Sequence, residues 1–348
     1  MKALVARPGG LGGVLLAGPA VRAVATRAGR VTLLCDPEGA PAARLLPHVD
    51  DVVVWDARPP HDGTAAPPGG PARTDAADGT DSTDSLVRRL RGESYDVALV
   101  LPPRPHSPLP TARLLRTARV RRIGATAGGT GEPYDGGGRA DGLLDVLLPR
   151  RPGRHEAEAA LDTAAAMGFG LRSGDDGRLR VLPAPDTATL TGNGPYVVVH
   201  PGAADPSRAW DAGHCAAAVA RLADAGHRVV VTGGPGETGL TRRVSGATAV
   251  DLGGRTTPRT LAGVLRNADA VVTAATGPAH LAAAVGTPVA ALSATARDRC
   301  PYRVPAVLLG DRADPGPRTG SGHHGNGALP DDPDDVVRAV RNLLATRT

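Results

Sequence analysis

Residues 268–292 read ADAVVTAATGPAHLAAAVGTPVAAL, and three kinds of local signal follow one another within them. Residues 270–273 form a short apolar run with the β-branched content of a buried strand. Thr276, Gly277 and Pro278 then have the order of an N-cap, a tight turn and a first helical residue. An alanine-rich helix is expected to run to Val285 and stop at Gly286, with Pro288 leading into a second strand at 289–292. Such a unit aims free N–H groups and the positive end of a helix dipole at the carboxyl end of the first strand. In open α/β sheets that is where anionic ligands bind, phosphates above all. His280, in the expected first turn, is a candidate donor at the same place.

The same alternation extends to both sides. Residues 2–6 are an expected strand, followed by the loop Arg7-Pro-Gly-Gly-Leu-Gly-Gly13 and a helix over 14–28 with a stripe of Leu15, Leu16, Ala20 and Val24. Strands at 31–35 and 52–55, with a short helix at 40–46, complete the β-α-β-α-β order of a parallel, doubly wound sheet. Residues 56–85 and 125–142 are rich in Gly, Pro and Asp, lack apolar periodicity, and are read as flexible surface excursions. Between them lie an expected helix at 86–90, a strand at 95–101, a helix at 111–118 and a strand at 120–124. A helix over 154–168 is read as the bridge between domains, followed by polar linker through 176–194. In the second half, strands are expected at 196–200, 228–232 and 306–309. Helices are expected at 211–225 and after Thr257 and Pro258, an N-cap and N1 pair. The acids of 331–335 are expected to cap a terminal helix over 336–344.

With 348 residues the chain suffices for two ordinary domains. Aromatics are only 2% of it, so Val, Leu and Ala must fill the cores. Forty Lys and Arg against 35 Asp and Glu leave a formal charge of +5, and Lys2 is the only lysine. That charge forms no single basic block, and with so few rings for base stacking, nucleic acid is not an expected partner. Attraction to a diphosphate or an anionic acceptor is compatible with it. Cys35, Cys215 and Cys300 are far apart, odd in number and without CxxC spacing, as expected of thiols in a reducing compartment. His323-His324 has no third ligand at suitable spacing, so no metal site is expected. No stretch approaches the ~20 apolar residues of a membrane span. The apolar run at the N-terminus is too short for a signal peptide. A cytoplasmic protein is the expectation.

The run TGPAHLAAAVGTPV resembles the C-terminal signature of glycosyltransferase family 9, which includes the ADP-heptose:lipopolysaccharide heptosyltransferases. His200-Pro-Gly-Ala203 with Ser207, Arg208 and Trp210 resembles a second segment of that family, and Gly233-Gly-Pro-Gly-Glu237 a third. At the N-terminus, Arg7, Gly12, Val14, Leu15, Leu16, Pro19 and Arg22 fit a fourth. Residues 10–15 lack the third glycine of a dinucleotide fingerprint, although Asp36 stands where its acid would be, so a nicotinamide-dependent oxidoreductase is the weaker alternative.

The resemblance, to a divergent, actinobacterial-type member, implies a GT-B fold: two Rossmann-like, doubly wound α/β domains facing an interdomain cleft. The implied domains are 1–190 for the acceptor and 191–330 for the nucleotide sugar, with a helix in 331–348 packing back on the first. It also implies inverting, metal-independent transfer of heptose or another sugar from a nucleotide diphosphate sugar, ADP-heptose-like, to a hydroxyl acceptor. That acceptor would be a cell-surface glycan precursor or a secondary metabolite, with peripheral membrane contact compatible and no resident cofactor. The implied nucleotide-sugar site comprises Ala203, Ser207, Arg208, Gly233, Glu237, Thr256, Ala275, Thr276, Gly277, Pro278 and His280. Arg208 would hold the diphosphate and Glu237 the ribose hydroxyls. The implied acceptor loop contains Arg7, Gly12 and Gly13. The family's usual aspartates are replaced here by Gly13 and Ala275, which cannot take a proton or bond a sugar through a side chain. Asp36, Asp205 and His280 are the remaining candidate bases. A sugar-nucleotide-binding protein with impaired catalysis is the first alternative.

Overall fold

A computed structural model describes residues 1–56, 83–128, 142–203, 210–292, 300–310 and 332–346. They form two units, Met1–Leu182 and Pro183–Thr348, dividing a little ahead of the expected 190/191 boundary.

The first unit is built on strands β1 (Lys2–Ala6), β2 (Arg30–Cys35), β3 (Asp51–Val54), β4 (Val97–Val100), β5 (Arg122–Thr126) and β6 (Val146–Leu148). They pair in the order β3-β2-β1-β4-β5-β6, every pair parallel. A parallel sheet is covered on both faces, so its central strands are apolar without alternation. Ala3–Ala6 and Val97–Val100 are buried at every position. The covering helices are α1 (Leu11–Leu16), α2 (Gly18–Ala25), α3 (Ala40–Ala43), α4 (Thr83–Glu93), α5 (Leu109–Thr117) and α6 (Glu156–Ala166). The single helix expected over 14–28 starts earlier and divides at Ala17, because Pro19 has no N–H to donate to the carbonyl of Leu15. Residues 83–85 open α4, and Ala125 and Thr126 close β5, so both expected excursions are shorter than their composition suggested. Residues 57–82 and 129–141 lie outside the described residues. Helix α6, expected to bridge domains, packs instead on α2 and β5 within the first unit. Its small residues Ala157, Ala160 and Ala164 allow that close approach.

The second unit repeats the wiring. Its strands β7 (Val197–His200), β8 (Val229–Gly233), β9 (Val250–Gly253), β10 (Ala270–Thr273), β11 (Val289–Leu292) and β12 (Ala306–Leu309) run β12-β11-β10-β7-β8-β9, again all parallel. Counted from β7, this is the order of the first sheet read from its other edge. The helices are α7 (Ala188–Thr191), α8 (Ala212–Asp224), α9 (Thr238–Ser245), α10 (Pro258–Arg266), α11 (Thr276–Val285) and α12 (Pro333–Ala345). With almost no aromatics, valine fills the core: Val197, Val199, Val229, Val231 and Val272 pack with Trp210, Cys215 and Leu222. Burying each such valine contributes roughly 1.5–3 kcal/mol. Helix α12 adds Val336, Val340 and Leu343 to that core and lies on α8 and β10–β12. Its apolar stripe is thus covered inside the second unit. Its start follows the acid-cap reading, with Asp332 accepting from the N–H of Asp334 at 2.9 Å. Thr257 caps α10 as expected, accepting from Thr260 N at 3.2 Å.

Candidate active site

In sheets of this wiring the strand order reverses beside the first strand, and the helices leave to opposite faces there. The resulting crevice lies beyond the strands' carboxyl ends. Each unit therefore contains one such place, at β1/β4 in the first and at β7/β10 in the second.

The second-unit crevice gathers most of the expected donor residues that are described. Thr273 pairs in register with His200, so the chain leaving β10 runs beside Pro201-Gly202-Ala203 leaving β7. The helix after β10 begins one residue earlier than expected. Ala275 is its N-cap, without a side-chain cap, because Thr273 Oγ1 already holds the Ala275 N–H at 3.0 Å and turns the chain there. Thr276 and Gly277 are then the first helical residues, Pro278 brings no N–H, and the first helical bond runs from Ala279 N to Ala275 O. Two N–H groups with the dipole behind them thus stand at the half-buried end of α11. Gly286 ends the helix in the left-handed region at φ 85°, as its sequence position predicted.

Glu237 lies in the turn just beyond β8. Its Oε2 accepts from Gly234 N at 2.6 Å, closing the turn Pro235–Glu237 that precedes α9. Its carboxyl group lies over Gly202 so closely that a Cβ there would come within 1.8 Å of Oε1, and a Cβ on Gly233 within 3.2 Å of Oε2. Only glycine at 202 admits the carboxylate. His200 is buried beneath it, with Nδ1 at 2.9 Å from Thr232 Oγ1 and Nε2 at 3.9 Å from Glu237 Oε2. Burial pushes the His200 pKa down, against the smaller upward pull of Glu237. From this position Glu237 closes the turn and presents its carboxylate beside Gly202.

The other donor-side calls divide. Ala203 is half-buried at the end of its segment, and Thr256 follows Gly254, whose N–H reaches Gly233 O at 3.0 Å. Ser207, Arg208 and the candidate base Asp205 lie outside the described residues, as do His323 and His324. His280 sits in the second turn of α11, among the buried residues 279–283, and is 1% exposed.

The first-unit crevice is centred on Arg7, which is 3% exposed. Its guanidinium donates to the carbonyls of Gly13 (2.9 Å), Leu101 (3.0 Å) and Pro8 (3.3 Å), and forms a buried ion pair with Glu156 Oε1. Arg7 Nη2 lies where a residue-13 side chain would start, 2.8 Å from an ideal Cβ on Gly13. Gly12 is buried in the same turn. Asp36 does not enter this cluster; it accepts from Gly9 N at 2.7 Å and pins the glycine loop to the end of β2. Arg22, a signature position, clamps the loop after α6 by a two-pronged pair with Asp175, at 2.7 and 2.9 Å. That clamp holds the Asp175 carboxyl down to about 2. A small pocket here is lined by Arg7, Leu101, Thr126, Arg150 and Glu156, among others.

Glu156 and Arg150 escaped the sequence reading. Glu156 lies 149 residues from its partner, and nothing local marks it beyond being an acid in a helix's first turn. Among the described residues no three His, Cys, Asp or Glu side chains come together as a metal site, and no helix is long and apolar enough to cross a membrane. The three cysteines are thiols outside any disulfide; burial pushes the Cys35 thiol up to about 12 and raises the Cys215 thiol too.

Residues 149–305 match the family model for glycosyltransferase family 9 (heptosyltransferase). Among solved structures, the chain is similar to a glycosyl transferase family 9 protein from Veillonella parvula, at 17% identity and TM-score 0.69, covering 99% of this chain and 97% of that one. It is similar also to E. coli ADP-heptose lps heptosyltransferase II, at 20% identity and TM-score 0.68, covering 100% and 99%. E. coli heptosyltransferase WaaC with ADP-2-deoxy-2-fluoro heptose matches at 18% identity and TM-score 0.64 over 100% of both chains. A search of curated proteins gave no significant match. The two-unit α/β architecture is thus GT-B-like, and over residues 149–305 the chain is similar to the glycosyltransferases of family 9.

Proposed function

We propose that the protein moves heptose or another sugar from a nucleotide diphosphate sugar to a hydroxyl acceptor, with inversion and without a metal ion. The observation that carries this reading is the uncapped terminus of α11 after β10, whose neighbour β7 leads into Gly202 with the Glu237 carboxyl lying over it. Transfer requires the departing diphosphate to be stabilised as charge builds on its oxygen. Backbone N–H groups that need no reorientation are well suited to that, and each such donor is worth roughly 3–4 kcal/mol in related oxyanion sites. In this reading Thr276 and Gly277 supply those donors. Glu237, already bonded to Gly234, offers its carboxylate oxygens to the ribose hydroxyls. Arg208, from the resembled segment, supplies the cation for the diphosphate. The donor belongs to the second unit and the acceptor to the first. The proposal places the reaction in the cytoplasm, where the three thiols remain reduced.

A second reading, binding without turnover, is favoured by one observation: residue 13 has no side chain, and Arg7 occupies the space where one would begin. Titration of ADP, GDP, UDP and dTDP sugars by calorimetry, with nucleotide release assayed for each, separates the two. Binding with release establishes the transferase and names its nucleotide. Binding without release, even with cell-extract acceptors, establishes the second reading. NADH binding in place of any sugar nucleotide would overturn both.

A further inference from the structure

We infer that Glu156 is the general base of the acceptor side, held in the first-unit crevice by Arg7; this rests on the transferase reading above. Joining a hydroxyl to a sugar requires a group that removes the hydroxyl proton. The loop Arg7–Gly13 contains no acid, and Asp36 is spent on Gly9 N. The pocket at the ends of β1, β4 and β5 is lined by two arginines, Arg7 and Arg150, and by one carboxylate, Glu156. Arginine stays protonated in proteins, so Glu156 is the group lining that pocket that can accept a proton at neutral pH.

Its setting is also that of an oriented group. Glu156 Oε1 is taken by Arg7, which is itself fixed through Gly13, Leu101 and Pro8 carbonyls. Glu156 Oε2 accepts no hydrogen bond among the described residues, and the side chain is 9% exposed. A carboxylate has lone pairs for about four hydrogen bonds, so acceptor capacity remains at the pocket. Burying an ion pair is a poor way to gain stability, since apolar residues of similar volume serve as well or better. The pair is therefore better explained by chemistry at the pocket than by the fold.

The step balances without a further reactant. The acceptor O–H proton passes to Glu156 Oε2, and the acceptor oxygen's electron pair forms a bond to the anomeric carbon. The bond from that carbon to the diphosphate oxygen breaks, and its pair leaves on the nucleoside diphosphate.

The test uses the full chain with ADP-heptose and the other nucleotide sugars, with cell extract supplying the hydroxyl acceptor, and follows nucleotide release. Glu156→Gln keeps an oxygen for Arg7 but cannot take the proton. Its kcat is expected to fall at least 100-fold with donor affinity by calorimetry little changed, while the melting temperature falls because Arg7 is left as a buried charge without its counter-ion. Arg7→Met/Glu156→Leu, which removes both charges together, is expected to fold, bind donor and remain inactive. Glu156→Gln retaining kcat within threefold, or an active double variant, would overturn the assignment while leaving the transferase reading intact. A wild-type chain that releases no nucleotide would overturn the transferase reading, and this assignment with it.

Discussion

The two crevices share one wiring and differ in almost everything placed on it. At β7/β10 the proposed binding groups are backbone: two N–H groups at an uncapped helix, and glycines that let a carboxylate lie against the chain. At β1/β4 they are buried side chains, an arginine and a glutamate drawn from segments 149 residues apart. Backbone N–H groups cost little to keep poised, because any helix start must leave its first donors unbonded. A buried ion pair is costly to desolvate and is destabilising once one partner is lost. The comparison shows that fold fixes where a ligand can bind, while the residues on that place decide the chemistry.

Glycine substitution gives the largest contrast between the two. Gly13→Ala puts a methyl group 2.8 Å from Arg7 Nη2, and Arg7 is tied by four partners in a buried place. The expected cost is about 1–3 kcal/mol of stability in urea unfolding, the usual range for overpacking, with donor affinity hardly altered. Gly202→Ala meets the Glu237 carboxyl at 1.8 Å, but that side chain is 26% exposed and can swing outward. It should cost only about 1 kcal/mol, the lost bond to Gly234 N, yet weaken nucleotide-sugar binding more than roughly tenfold. Equal effects of the two substitutions on binding would remove the distinction between the crevices.

The Arg22–Asp175 clamp supplies the next effect, confined to the first unit. Asp175 is depressed from 3.8 to about 2, first through its hydrogen bonds from Arg22. A carboxylate with a lowered folded pKa contributes stability above its unfolded value and loses it as pH falls through the folded one. The contribution should therefore be complete above pH 4 and disappear towards pH 2. Asp175→Asn is expected to remove about 1–2 kcal/mol at neutral pH and to flatten the acid side of the stability curve in that window. Nucleotide-sugar binding should not respond.

Legibility from sequence follows the same division. The parallel strands were plain because burial on both faces leaves continuous apolar runs such as Val197–Val199. The α11 region was plain because turn, cap and helix are written in adjacent residues. Short β6 and α7 were missed, having neither length nor periodicity. The cap was placed one residue late, since Thr276 is a better capping residue than Ala275, and the side-chain bond from Thr273 that starts the turn early has no separate sequence mark. The burial of His280 was not legible because an alanine-rich helix shows no single apolar face. Glu156 could not be found locally: its meaning comes from Arg7 across the sheet, and only the topology brings α6 to that end. Pro19 was in view as a signature residue, yet its missing N–H and the helix break it causes were not drawn from it.

The smallest expected effect bears on why α11 lacks a cap. Within the second unit, α10 begins at Thr257, whose hydroxyl accepts from Thr260 N, whereas α11 begins at Ala275 with no side chain to offer. Thr257→Ala should therefore cost about 1 kcal/mol, the ordinary value of a lost cap, without touching ligand binding. Ala275→Ser should do the reverse. Its hydroxyl can accept from Gly277 N, since Pro278 at the following position has no N–H, and stability should rise by up to about 1 kcal/mol. The same bond takes a donor away from the diphosphate, so calorimetry should show weaker binding of the nucleotide sugar even as the melting temperature rises. A serine that stabilises the helix and leaves affinity unchanged would mean that the N–H groups of α11 do not carry the phosphate, and the contrast between a backbone-built and a side-chain-built crevice would fail at its most specific point.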